Sequence, residues 1–398
     1  PTAWENAAIA HSLLFEKVIE AKFKLQYKLP PINLKHIRKL TTEFGMLQFS
    51  ILNKPDLNSG YTLDDNARAL IALCKHYELS NDKKDPVLIG RYYALIKTCL
   101  QPNNSYLNYQ DRNKAFTDQN SKEGLEDAHG RAVWALGYLL SVKNMLPAEV
   151  CIDAEEIFQR SLQHLPKIHS CRAMAFAIKG LYYSQKENDT EQHNELVKLL
   201  ANRLLQMYRH ESEESWNWFE SSLTYANSVL PEAMLCAYEL CGDNAYKEAA
   251  LNSFHFLLSK TFTGNEIHVI TNKGWLQKTG IIDPLVSGGE QPIDVAYTIL
   301  ALDKFHEVFG DAHYLQMMKT AFDWFLGKNH LNRIIYNPCT GGCYDGLEEF
   351  SVNLNQGAES AVSYLMARLT MEKSLGKLKK TKTAVYPDPL PQPVFSLI

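Results

Sequence analysis

The chain has 398 residues, 45% apolar and 22% charged, so it can bury a large core and disorder is not its default. Its 41 basic and 45 acidic residues leave a net charge of −4, with no basic stripe before the C-terminal tail, which argues against a nucleic-acid partner. No stretch reaches the ~18 apolar residues of a membrane span, and the eight cysteines are scattered. With no charged and apolar leader at its start, the expectation is a cytoplasmic, reducing setting without a membrane partner.

Taken in chain order, residues 1–28 read as an amphipathic helix beginning Trp4-Glu5-Asn6-Ala7. Apolar residues then recur at three- and four-residue spacing, predicting helices near 34–46, 64–78, 86–100, 127–143, 149–164 and 170–185. The same spacing predicts further helices near 190–210, 222–240, 243–260, 291–308, 312–327 and 355–373. The even-numbered members are rich in small and apolar residues, as in Ala132-Val133-Trp134-Ala135-Leu136-Gly137. The odd ones carry charge on one face, as in Asn194-Glu195-Leu196-Val197-Lys198. A helix apolar all round is buried and an amphipathic one lies outside. Alternation of the two kinds predicts an all-α (α/α)6 barrel, a six-hairpin toroid with long loops at its active-site rim. Three regions follow: 1–30, an N-terminal helix; 31–374, the toroid; and 375–398, an extended tail rich in Lys and Pro.

In such a toroid the inner helices run parallel and their N-termini share one rim. Five segments put acidic, amide, Gly or aromatic residues at predicted inner-helix starts. They are Gly60–Arg68, Glu126–Arg131, Trp218–Tyr225, Gly289–Asp294 and Asn355–Glu359. Glycosidic cleavage needs one carboxylic acid to protonate the leaving oxygen and a second carboxylate to activate water or attack. Asp65 and Asp127, on neighbouring inner helices, are the preferred catalytic pair. Substrate contacts are expected from Tyr61, Asp64, His129, Arg131, Trp216, Trp218, Glu220, Tyr225, Glu290, Gln291, Asp294, Asp345, Gln356 and Glu359. Each has a structural alternative: Asp64 or Asp127 as a helix cap, Trp216 and Trp218 as core, Glu290 as a complement to the helix dipole. Cys339 and Cys343, in Pro338-Cys339-Thr340-Gly341-Gly342-Cys343, read as a Gly-rich loop, and neither a metal nor another cofactor is expected.

The blocks Gly60-Tyr61-Thr62-Leu63-Asp64-Asp65-Asn66-Ala67-Arg68, Glu126-Asp127-Ala128-His129-Gly130-Arg131 and Trp216-Asn217-Trp218-Phe219-Glu220 resemble a bacterial six-hairpin-glycosidase-like family. So do Thr340–Leu347 and Val352–Ser360, in the same order, and the resemblance spans about residues 34–373. Members of that family occur as the C-terminal part of, or beside, a GT-B glycosyltransferase. The resemblance implies the toroid and carbohydrate chemistry, but no settled reaction. Trp4 through Val18 looks like the closing helix of such a glycosyltransferase, which makes one a possible partner.

The leading reading is a glycoside hydrolase, with inversion preferred, acting on an oligosaccharide or bacterial glycan. Its alternatives are a non-catalytic glycan-binding or accessory module of a glycosyltransferase, and a glycoside phosphorylase. An epimerase would draw on paired histidines, for which His129 and His268 are available.

Overall fold

The structure is a computed structural model describing residues 28–185, 190–279 and 288–385, together with eight helical positions between 7 and 18. Side chains are described to Gly376. The expectations for most of residues 1–27, and for 386–398, lie outside the described residues.

From Lys35 onward the described residues form twelve α-helices. They are α1 (Lys35–Leu40), α2 (Leu63–Ser80), α3 (Asp85–Cys99), α4 (Glu126–Ser141), α5 (Ala148–Leu162) and α6 (Cys171–Gln185). The second half holds α7 (Glu191–Glu211), α8 (Val229–Cys241), α9 (Asn244–Thr261), α10 (Pro292–Phe309), α11 (Ala312–Phe325) and α12 (Ala358–Val385). The even-numbered helices pack each against the next, and α12 returns to α2, closing an inner ring. The odd-numbered helices α3 to α11 lie against its outside. This is an (α/α)6 toroid.

Burial follows the composition that marked the inner helices. In α2, Ala67, Ala69, Leu70, Ile71, Ala72, Leu73 and Cys74 are all fully buried, whereas α7 buries one face through Val197, Leu200, Ala201 and Leu204. The tightest ring contact is between α4 and α6. A Cβ on Gly137 would fall 2.0 Å from the Gly180 carbonyl oxygen, and one on Gly180 2.4 Å from that of Val133. Backbones approach that closely only where side chains are missing.

Three boundaries differ from the periodicity. The helix expected at 34–46 stops at Leu40, where the Thr41 hydroxyl donates to the Ile37 carbonyl at 2.7 Å and Thr42 turns the chain onto Gly45. The helix expected from 222 starts at Val229. Asn227 ties itself to both the N–H and the C=O of Thr224, and Ala226 takes a positive φ, so the preceding run is loop. The last helix runs past Leu375 to Val385, since the Lys-rich segment after Gly376 is compatible with helix until the prolines begin. Short strands dress the rim, among them Gly346–Glu348 paired antiparallel with both Gly288–Glu290 and Val352–Asn353.

Candidate active site

Contacts between successive first turns show that the inner helices start at one end. Arg131 of α4 reaches Asp64 in the first turn of α2, and Ser170, just before α6, reaches Asp127 in the first turn of α4. Ahead of α8, the Ala226 N–H donates to Asp294 in the first turn of α10 at 2.6 Å. Arg68 of α2 reaches Glu359 in the first turn of α12.

Asp65 is buried in the first turn of α2. Thr62 is the N-cap: its hydroxyl accepts from the Asp65 N–H at 3.2 Å and donates to Asp65 Oδ2 at 2.6 Å. Capping here thus falls to Thr62, leaving both aspartates for other partners. Arg68, one turn on, donates to Asp65 Oδ1 at 2.8 Å and to Glu359 Oε2 at 3.0 Å, so one guanidinium bridges two carboxylates. Burial pushes the Asp65 carboxyl up to about 6 although Arg68 pulls it down; Glu359 and Asp64 add to the rise. Asp65 and Glu359 line a cavity of about 280 Å3 with Gln48, Asn272, Glu290, Gln291 and Asp345.

Around the ring the alternation of acids and arginines continues. Arg131 pairs with Asp64 at 2.9 Å and lies over the Phe176 ring at 4.6 Å. Asp127 accepts from the Ser170 hydroxyl at 2.5 Å and from the Tyr225 hydroxyl. Tyr225 lies under Arg172, which pairs with Glu220 at 2.9 Å. Asp294 is pushed up to about 7, chiefly by burial, with the Ala226 N–H opposing and the Glu359 charge reinforcing. Asp345 accepts from the Gly357 N–H at 2.7 Å, and burial raises its carboxyl too.

Asp64, Asp65, Asp127, Arg131, Glu220, Tyr225, Asp294 and Glu359 thus form one network at the rim, with Glu290, Gln291 and Asp345 beside it on the cavity wall. Other predicted residues sit elsewhere. His129 donates to the Ser161 carbonyl at 2.9 Å and stacks on His164, between α4 and α5; burial lowers it to about 4. Trp216 and Trp218 are buried against Phe256, and the Trp216 indole donates to the Glu220 carbonyl, so they brace the loop that carries Glu220. Tyr61 packs edge-on to Phe44. Gln356 accepts from Thr340 through its side chain and from His36 through its carbonyl. Sequence reading missed Arg68, Arg172 and Ser170 as members of the network. The first carried a signal, since Asp65/Arg68 and Asp127/Arg131 repeat an acid-then-arginine spacing of three to four.

A second group adjoins this wall. Glu290 Oε1 lies 3.5 Å from both His268 Nδ1 and His330 Nδ1, while Glu290 Oε2 accepts from the buried Trp324 indole at 2.7 Å. Burial works against ionisation of Glu290, but the two imidazoles and the indole outweigh it and hold the carboxyl below its ordinary value. His268 and His330 line a neighbouring cavity of about 350 Å3, which Glu290 shares.

No protein-family model and no curated relative matches the sequence. Solved structures do match in fold. Cellobiose 2-epimerase from Bacillus thermoamylovorans aligns with TM-score 0.66 and 12% identity, over 92% of this chain and 98% of that one. A D-mannose isomerase aligns with TM-score 0.64 and 13% identity, over 94% and 98%. An inactive variant of the α-1,6-mannanase from Salegentibacter sp. HEL1_6, in complex with α-1,6-mannotriose, aligns with TM-score 0.57 and 12% identity, over 85% and 96%. At such identities the likeness is one of fold alone.

Proposed function

We propose that the chain is a glycoside hydrolase acting on an oligosaccharide, with Asp65 as general acid and Glu359 as the carboxylate that activates water or attacks. The observation that carries this is the Asp65–Arg68–Glu359 bridge in the wall of a polar cavity. A single guanidinium holds the two carboxyl groups apart, which suits the separation of about 5–10 Å that glycosidases use. Asp65, at about 6, keeps a proton to donate in mildly acidic solution. Glu359, more exposed and bound to Arg68 through one oxygen, leaves the other for water or the sugar. Asp127, the partner expected from sequence, accepts from Ser170 and Tyr225 and is not among the residues lining this cavity, which suits it to orienting the Tyr225 ring. The mannanase variant is inactive with two consecutive aspartates replaced by asparagine. Asp64-Asp65 is the one Asp-Asp pair in this chain, which supports placing the acid at this helix start.

An epimerase reading is favoured by the fold of two of the neighbours. Shuttling a proton at a sugar carbon calls for bases near neutrality, typically imidazoles. Among the described residues no imidazole lines the cavity of Asp65 and Glu359. The test is a panel of manno- and gluco-oligosaccharides in deuterated water. Hydrolysis predicts shortened products, and Asp65→Asn and Glu359→Gln each lowering kcat by about 10²–10⁴-fold. Uncleaved sugar carrying solvent deuterium at carbon would overturn hydrolysis in favour of epimerisation. Saturable glycan binding without turnover would leave a binding module.

No described helix is long and apolar enough to cross a membrane. A glycosyltransferase partner rests on the sequence resemblance and is tested by co-purification.

A further inference from the structure

We infer that His268, Glu290 and His330 form a binding site for a divalent metal ion of the zinc class. Three rim segments place one donor atom each within 4.8 Å of one another. The two Nδ1 to Oε1 separations of 3.5 Å are too long for hydrogen bonds of ordinary strength. They suit the edge of a tetrahedron around an ion bound at about 2.0–2.1 Å, which comes out near 3.3 Å.

The outer contacts point the same way. A carbonyl oxygen only accepts, so the 3.1 Å contact between His330 Nε2 and the Glu348 carbonyl puts the ring proton on Nε2. With Nε2 occupied by its proton, Nδ1 is the ring atom left to face the Glu290 oxygen, where an ion between the two can draw on both. His268 faces Glu290 through Nδ1 and presents Nε2 to the Glu266 carboxylate at 3.6 Å. Trp324 fixes the remaining Glu290 oxygen. His330 and Glu290 are thus held from behind by a carbonyl and an indole, as metal-binding imidazoles and carboxylates are, with the Glu266 carboxylate beside the outer nitrogen of His268. Two imidazoles and one carboxylate are a donor set suited to zinc, with a fourth position left for water. That position opens on the cavity lined by Val269, Ile270 and Thr271.

Bound there, the ion would tie the loop after α9, the strand Gly288–Glu290 and the segment after α11 into one unit. Glu290 also lines the cavity of Asp65 and Glu359, so the ion would stiffen that wall. The site stands independently of the reaction proposed above, and its test reads metal rather than turnover. The full chain, stripped with chelator, is titrated with zinc chloride by calorimetry and with cobalt(II) by visible absorption. One zinc per chain and tetrahedral cobalt bands are expected, with affinity falling at least tenfold in His268→Ala and in His330→Ala. Both variants should melt with the metal-free wild type, since both rings are partly exposed. Cys339→Ser, altering the exposed thiol, should leave the stoichiometry at one. No uptake at about millimolar zinc, or uptake indifferent to both histidine substitutions, overturns the site; protons alone would then fill the cluster.

Discussion

Burial sets the chemistry of single carboxyls at this rim. Asp294 and Asp65 titrate near 7 and near 6 because the folded chain removes each from water faster than its partners compensate. For an acid raised in this way, the folded state binds more protons than the unfolded state between the ordinary carboxylate value and the raised one. Stability therefore falls as pH rises from about 4 through 6 and 7, and is greatest on the acid side of that window. At about 1.4 kcal/mol per pH unit, Asp294 costs the folded chain on the order of 4 kcal/mol above pH 7. Asp294→Asn keeps an oxygen for the Ala226 N–H and abolishes the charge. It is expected to raise the melting temperature at pH 8 and to flatten the decline between pH 4 and 8. An unchanged pH profile of stability would show that Asp294 is not the group responsible. The sequence located these acids at helix starts, but Thr62, not Asp64, caps α2, a distinction that depends on which side chain the backbone turn presents.

Helix by helix, composition was a good guide to placement. Ala- and Gly-rich runs became the inner ring because backbones can meet only where side chains are small, and α4 against α6 is the extreme case. Gly180→Ala places a methyl 2.4 Å from the Val133 carbonyl. With backbone on the other side of the contact, nothing flexible can yield, and a loss of about 1–3 kcal/mol is expected by urea unfolding. Because α4 carries Asp127 and Arg131 while α6 carries Arg172, the same substitution should also weaken sugar binding from a distance. A neutral outcome in both measurements would mean that the two helices slide apart freely. Periodicity failed where side chains compete with the backbone, at Thr41-Thr42 and at Thr224–Asn227, since such competition leaves the apolar spacing unaltered.

Across the whole molecule, the ring closes around polar groups as well as apolar ones. Lys179 of α6 is fully buried, pairs with Glu232 of α8 at 2.8 Å and lies 3.8 Å from the Trp134 ring centre on α4. Three inner helices thus converge on one ammonium. Glu232→Gln leaves that charge in the interior without its counter-ion, and a cost of about 3–5 kcal/mol is expected from chemical denaturation. A loss below ~1 kcal/mol would indicate that the Lys179–Glu232 pair does not hold the three helices together. Neither residue stood out in the sequence, since a lone Lys in an apolar helix has no local signature of its partner.

The alternation of buried and amphipathic helices, and with it the toroid and the rim of acids, was determined by sequence alone. That information is local, because a helix's burial is written in its own few turns. The tertiary structure decided the pairings: Arg68 between Asp65 and Glu359, Asp127 on Tyr225, His129 turned outward to Ser161, His268 and His330 on Glu290. Those depend on the rotation and height of each helix relative to its neighbours, which a periodic pattern leaves free and only the packed ring fixes.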